Sequence, residues 1–153
     1  MATTYQATLT DADRHILRAA MDRLIPAVDD LPAAGAMGIL DDVERMASEH
    51  ARYQIALALF LAALASAVPA GFLSLSGDKQ DVALRAVEAS APIDFANVLE
   101  ATYVAYYSRP EVHARIGWKT GPIQPEGFAL PPFDESILET VRQRKPFWRQ
   151  VRP

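Results

Sequence analysis

The sequence has 153 residues, of which 50% are hydrophobic and 22% are charged, and its net charge at pH 7 is −4. This size and composition are typical of one globular domain and exclude a disordered chain. The acidic balance argues against nucleic acid as a partner, and the absence of cysteine excludes disulfides, iron–sulfur clusters and zinc–thiolate sites.

Two amphipathic helices are predicted in the first third of the chain. The first begins after Thr10, whose hydroxyl suits an N-cap, and ends before Pro26. The second is predicted from about Ala36 to Ala51, because its apolar residues recur at helical spacing.

An acidic loop over residues 27–35 separates these helices. Asp29 and Asp30 lie next to each other in it, and both favour turns. A cation site is the less favoured interpretation, since no further oxygen ligands follow at metal-binding spacing.

The segment from Tyr53 to Gly77 contains no Asp, Glu, Lys or Arg, and its first part is apolar all the way round a helical wheel. Such a helix must be surrounded by protein or by lipid. Pro69 and Gly71 end the apolar run before the ~20 residues that a membrane span needs. We therefore interpret residues 53–68 as the central helix of a bundle, and a membrane segment is less favoured.

Three shorter-range signals place the next helices. Ser76 or Asp78 is expected to cap a fourth helix, and Pro92 suits the first turn of a fifth. Ser108 and Glu111 have the spacing of a capping box. They predict a short helix from Ser108 that Gly117 terminates.

Glycines and prolines alternate from 117 to 133, with aromatic residues between them. This composition predicts an extended arm rather than a helix. Asp134 is expected to cap a last helix, which Pro146 ends. Residues 145–153 form a basic aromatic tail, and an N-terminal tail covers residues 1–9.

The fold predicted from these elements is all-α. A single helical domain, residues 1–153, is expected to form a small bundle of about five long helices and one short helix around helix 53–68. The arm 117–133 is expected to wrap the surface of this bundle.

No catalytic motif is present. The histidines, His15, His50 and His113, lack the Glu-x-x-His and His-Glu-x-x-His spacings of metal sites, and no phosphate-binding glycine loop or Gly-x-Ser-x-Gly motif occurs. We interpret all three as solvated surface residues. A general base assembled from distant segments stays open as an alternative, because a base and its partners need not be neighbours in sequence.

Aromatic and proline residues late in the chain suit a partner interface, because Tyr and Trp combine a large contact area with a polar tip. The alternatives are a partly buried core for the tyrosines and a frayed end for the basic tail. The candidate interface residues are Tyr103, Tyr106, Tyr107, Trp118, Pro122, Pro125, Phe128, Phe133, Phe147 and Trp148.

Three segments together resemble the gluconate 2-dehydrogenase subunit 3 family. They are the segment from Leu9 to Pro26 with the acidic loop behind it, the glycine-led segment Gly35-Ala-Met-Gly-Ile-Leu-Asp-Asp-Val43, and Tyr106-Tyr-Ser-Arg-Pro-Glu-Val-His-Ala-Arg-Ile-Gly-Trp118 with the Pro/Gly stretch that follows it to Gly127. The resemblance spans roughly Leu9 to Gly127.

The resemblance implies a non-catalytic small subunit with no cofactor of its own. In such complexes a large subunit of the glucose–methanol–choline type holds FAD and oxidises a sugar, and a cytochrome c subunit with haem often takes the electrons. The small subunit binds, stabilises or chaperones the large one. No catalytic residue is carried over, because the family motif is structural.

Many family members carry a twin-arginine export signal, which is missing here. For the sequence as written, the resemblance therefore implies a cytoplasmic complex. It implies a periplasmic complex if a partner carries the signal, or if this chain's own signal is not included in the sequence.

Two other functions compete with the subunit hypothesis. One is a stand-alone helical bundle that binds a small molecule, with His113 and the nearby tyrosines as candidate groups. The other is a helical adaptor for a different partner. The subunit hypothesis predicts that Trp118, Phe128 and Phe133 contact the partner.

Overall fold

The structure is a computed structural model that describes residues 9–119, 121, 127 and 132–145. Within these residues it contains helices and no strand, which confirms the all-α prediction. The helices are α1 (Asp11–Leu24), α2 (Leu40–Glu49), α3 (Ala51–Ala67), a 3-10 helix (Phe72–Ser74), α4 (Gly77–Ser90), α5 (Pro92–Tyr107), α6 (Pro110–Arg115) and α7 (Ile137–Arg142).

The chain forms two compact units, Met1–Lys119 and Thr120–Pro153. The first unit contains α1 to α6, and the second contains α7. The predicted extended arm falls mostly on residues that lie outside the described part of the chain.

The core of the first unit lies around α3 and α5, which pack against each other and against α2 and α4. Phe60 of α3 is completely buried, and its ring centroid lies 6.1 Å from that of Phe95 on α5. The stripe of α1 that faces this core contains Leu17 and Met21, which are also buried. Burial of these large apolar side chains is the main source of stability.

The start of α1 agrees with the sequence. The Asp13 N–H donates to Thr10 Oγ1 over 3.2 Å, and the Thr10 N–H donates to Asp13 Oδ2 over 3.0 Å. This reciprocal capping box satisfies two backbone donors that the helix leaves free. The helix ends at Leu24, before Pro26, as predicted.

The second helix begins four residues later than predicted, at Leu40 rather than at Ala36. Residues 34–39 form turns instead, and Gly38 has a φ of +70°, which an α-helix does not allow. Gly35 lies so close to α1 that a β-carbon built on it would be 2.1 Å from the Arg18 carbonyl oxygen. The glycine-led segment is therefore a tight loop packed on α1.

The acidic pair forms a turn, as predicted. Val28 and Leu31 exchange backbone hydrogen bonds of 3.1 and 2.9 Å, and Asp29 between them has a φ of +52°. Both aspartates make ion pairs with Arg115. Asp tolerates this left-handed conformation better than most residues.

The predicted capping box at Ser108 is wrong. The Ser108 hydroxyl donates to the Val104 carbonyl over 2.6 Å, so it caps the end of α5 rather than the start of α6. Serine hydroxyls often bond a carbonyl four residues earlier, and here this bond competes with the N-cap role. The next helix begins at Pro110, without a side-chain cap.

The end of α6 is as predicted. Gly117 has a φ of +69°, and the Trp118 N–H donates to the His113 carbonyl over 2.8 Å. These features define a Schellman motif, in which a left-handed glycine lets the chain satisfy the last helical carbonyls.

The other predicted helix starts are met in part. Ser76 is the N-cap residue of α4, although its side chain makes no capping bond, and Pro92 is at the start of α5 as expected. Asp134 accepts the Ser136 N–H over 3.0 Å, so it stabilises the turn before α7, which itself begins at Ile137. Pro146 lies outside the described residues.

One ion pair joins α1 to α4. The Arg23 guanidinium donates from Nε and Nη2 to the two carboxylate oxygens of Asp81, over 2.7 and 2.6 Å. Hydrogen bonding from Arg23 favours the charged carboxylate, which lowers the pKa of Asp81 below its ordinary value.

A lowered pKa makes this contribution dependent on pH. It is present above 3.8, the ordinary pKa of the carboxyl group, and is lost as the pH falls through the lower folded value. We expect Asp81→Asn to unfold at a lower urea concentration than the unmodified chain at pH 7, and the difference to shrink below pH 4. Urea titrations across this range measure it, and a difference that persists at low pH would contradict the assignment.

Within the described residues, none of the helices combines the length and apolar character that crossing a membrane would require.

Candidate partner interface

The outer face of α5 presents two of the candidate tyrosines. Tyr103 and Tyr107 are both exposed, and their rings meet edge to face with centroids 6.1 Å apart. Val104 and Ile93 are exposed on the same helix. Side chains at these spacings point away from the buried stripe of α5, so the exposed face is aromatic and aliphatic apart from Glu100, which lies on the same side.

Tyr106 was predicted to be an interface residue, and the structure corrects this. Its side chain is only 6% exposed and belongs to the core with Thr102, which is fully buried. Helical periodicity explains the difference, because Tyr106 is four residues from Thr102, whereas Tyr103 and Tyr107 are four residues from each other. A residue buried in its own chain cannot contact a partner directly.

The outer face of α3 is a feature that the sequence reasoning missed. Tyr53, Leu57, Phe60 and Leu64 point into the core, but Ile55 and Leu59 are 56% and 47% exposed. The expectation that this helix is covered on all sides is therefore wrong for the isolated chain. The signal was present in the absence of any charged residue between Tyr53 and Gly77.

Arg52 and Glu100 place a pair of exposed opposite charges on the outer sides of α3 and α5. The Arg52 guanidinium donates to Glu100 Oε1 over 2.8 Å, and the Tyr53 hydroxyl donates to the same oxygen over 3.1 Å. The hydrogen bond from Arg52 to Glu100 raises the pKa of Arg52. The pair joins α3 to α5, and its opposite charges cancel.

Trp118 is 64% exposed and lies three residues after the end of α6. The His113 ring lies beside it, with ring centroids 6.4 Å apart. His113 Nε2 contacts the Tyr107 carbonyl oxygen, while Nδ1 is buried and has no hydrogen-bond partner among the described residues. The interpretation of His113 as a solvated residue is thus wrong in part, because the residue is half-buried and its ring packs in the corner between α5 and α6. His15 and His50 are exposed, as predicted.

Two arginines connect this corner to the loop between α1 and α2 and to the first turn of α2. Arg109 donates to the Gly38 carbonyl over 3.1 Å and makes an ion pair of 2.9 Å with Asp42. Arg115 pairs with Asp29 and Asp30. The three segments that carry the family resemblance therefore meet in space, because the first loop and the glycine-led turn both bind arginines of the third segment.

In the second unit, Phe133 is 65% exposed, and Ile137 and Val141 of α7 are exposed as well. None of the residues of α7 is buried. The other candidate residues, Pro122, Pro125, Phe128, Phe147 and Trp148, lie outside the described part of the chain.

The described residues offer few features of a ligand site. They contain no group of three or more His, Asp or Glu side chains placed to bind a metal ion. An open cleft of about 480 Å³ lies between the acidic loop and α6, and it is lined by Asp30, Leu31, Pro32, Glu111, Ala114 and Arg115. Because Arg115 is already paired with the loop aspartates, the cleft resembles a seam between two segments more than a ligand pocket.

The model of the family described as gluconate 2-dehydrogenase subunit 3 matches residues 11–122, which run from the start of α1 past the end of α6. No curated protein and no solved structure shows significant similarity to the chain.

Proposed function

The chain belongs to the gluconate 2-dehydrogenase subunit 3 family, and we propose that it is the non-catalytic small subunit of a sugar dehydrogenase complex, bound to a large FAD-containing catalytic subunit. Family membership makes it an accessory subunit of a dehydrogenase complex. The proposal adds that the partner is of the glucose–methanol–choline type and that this chain stabilises it or assists its folding.

One observation carries the proposal. The two helices at the core of the first unit each turn an apolar face outward, with Ile55 and Leu59 on α3 and Tyr103 and Tyr107 on α5. Large apolar side chains that cluster on the surface of a small protein mark interaction sites. An isolated subunit whose partner interface is unoccupied would have such a surface.

The sequence supports placing the chemistry in the partner. It contains no glycine-rich dinucleotide motif, and its histidines lack the spacings of catalytic metal sites. The resemblance implies that FAD is held by the large subunit. A cytochrome c subunit with haem is proposed as the electron acceptor, in line with what the resemblance implies.

Expression of the flavoprotein subunit with and without this chain tests the role. We expect the flavoprotein to be soluble, yellow and active in dye reduction when the two are expressed together, and to lose yield or FAD when it is expressed alone. The purified small chain should reduce no dye with sugar. Sugar oxidation by the small chain alone would refute the non-catalytic role and favour a stand-alone bundle.

Trp118 provides a prediction for the arm. We expect Trp118→Ala to weaken assembly by about tenfold, since exposed tryptophans at interfaces are often energetically important. The urea midpoint of the isolated chain should change little, because the side chain is 64% exposed. Isothermal titration with the flavoprotein measures assembly, and Phe133→Ala extends the test to the second unit. Equal losses of folding and assembly would make Trp118 a structural residue instead.

A further inference from the structure

We propose that the outer faces of α3 and α5 together form one docking surface, and that its occupant is an uncharged apolar surface of the catalytic subunit in a permanent complex. This inference rests on the proposed function and names the surface that performs it. We refer to this surface as the α3–α5 face, which comprises Ile55, Ala58, Leu59, Ala62, Ile93, Ala96, Tyr103, Val104 and Tyr107, all of them exposed.

The exposed and the buried apolar residues of α3 lie on opposite sides of the helix. Successive residues are about 100° apart, so positions 55, 58, 59 and 62 lie on the side opposite 53, 57, 60 and 64. The first set is exposed and the second is buried, although both sets consist of apolar or aromatic side chains. A helix that packs against other residues on one side only would be expected to have polar side chains on its outer side.

The faces of α3 and α5 adjoin each other. The helices run antiparallel, because Tyr53 near the start of α3 bonds Glu100 in the second half of α5, while Phe60 later in α3 contacts Phe95 earlier in α5. The Arg52–Glu100 ion pair connects the outer sides of the two helices. Residues exposed on both helices therefore contribute to a single surface.

The charge of this surface indicates what it binds. Glu100 is exposed on the outer side of α5 among the residues of the α3–α5 face, and it pairs with the exposed Arg52 of α3 over 2.8 Å, so that the two charges neutralise each other. Helices that lie on membranes usually have a face rich in Lys and Arg, whereas Arg52 is the one Lys or Arg residue of α3 and α5. An uncharged protein surface is the complementary partner, since charged residues are depleted at the centre of interfaces.

The area of the α3–α5 face suits a stable complex. Its six large side chains are Ile55, Leu59, Ile93, Tyr103, Val104 and Tyr107, each between 43% and 75% exposed. At roughly 100 Å² each they offer about 600 Å², most of the ~800 Å² that each partner contributes to a standard interface. Permanent complexes have the more hydrophobic interfaces, and so we assign this face to the catalytic subunit.

Leu59→Glu in the full chain tests the assignment, with Val82→Glu as the matched control. Both residues are exposed aliphatic side chains on helices, but Val82 lies on α4, outside the α3–α5 face. Each chain is coexpressed with a tagged flavoprotein subunit, and the eluted complex is analysed by flavin absorbance, dye reduction and mass. We expect Leu59→Glu to weaken binding about 100-fold, because it buries an unpaired charge in the interface, and Val82→Glu to leave binding unchanged.

Both isolated variants should keep the thermal unfolding temperature of the unmodified chain. That result would show that the weaker binding of Leu59→Glu is not caused by unfolding. Equal retention of the flavoprotein by both variants would overturn the docking surface and leave the proposed function intact. Failure of the unmodified chain to bind any flavoprotein would refute the proposed function itself. If sizing shows that the isolated chain is a dimer that only Leu59→Glu dissociates, the occupant is a second copy and the inference is wrong.

Discussion

Replacing Gly35 with alanine is expected to destabilise the first unit by about 3 kcal/mol or more, because the new methyl group has no space. An ideal β-carbon at this position lies 2.1 Å from the Arg18 carbonyl oxygen and 2.9 Å from Asp22 Oδ1. The carbonyl belongs to the middle of α1 and cannot rotate away, so the loop must move off the helix. That movement would also break the hydrogen bond of 3.0 Å from the Ala36 N–H to Asp22.

Gly38→Ala is the control for this prediction. Gly38 has a φ of +70°, but nothing lies within 4 Å of its ideal β-carbon. Alanine there should cost only the strain of the left-handed conformation, about 1–2 kcal/mol. Urea unfolding of both variants measures the difference. Similar costs at the two positions would mean that the loop does not pack on α1 as closely as the structure shows.

Phe60→Ala and Leu59→Ala are expected to have opposite consequences, although the residues are neighbours on α3. Phe60 is fully buried, so its truncation should lower the free energy of unfolding by about 3–5 kcal/mol. Leu59 is 47% exposed, so its truncation should change stability by no more than about 0.5 kcal/mol. Leu59→Ala should instead weaken binding of the flavoprotein.

Thermal unfolding of the isolated chains and titration with the flavoprotein measure the two effects separately. The pair is informative because it divides one apolar helix into a folding face and an assembly face. A large loss of stability from Leu59→Ala would contradict this division, since it would place that side chain in the core.

Local signals in the sequence were sufficient for much of the helical pattern. Thr10 and Asp13 form their capping box with atoms only three residues apart, and Pro26 and Gly117 end helices through their own backbone preferences. Such features depend on neighbours in sequence, and so they could be predicted without knowledge of the fold.

The errors arose where distant parts of the chain decide the structure. The delayed start of α2 depends on the packing of Gly35 against Arg18, which periodicity cannot reveal. Ser108 had two partners within reach, and the carbonyl of Val104 in the preceding helix is the one it bonds. His113 looked like a surface residue because its neighbours are charged, yet the turn at Gly117 brings Trp118 beside its ring.

The exposed apolar surface could be predicted only in part. A helix without polar side chains must be covered, but the sequence does not distinguish a face covered by its own chain from one left for a partner. The structure buries Tyr106 in the core of the first unit and leaves Tyr103 and Tyr107 exposed on its surface. The outer face of α3 is exposed as well, and it contains no aromatic residue from which an interface could be predicted.

Affinity purification of the tagged chain from its native host, followed by mass analysis and a visible spectrum, tests the subunit assignment most directly. We predict a yellow complex in which a flavoprotein several times larger than this 16.8 kDa chain copurifies and reduces dye with a sugar. A colourless chain that elutes alone at its own mass would contradict the assignment.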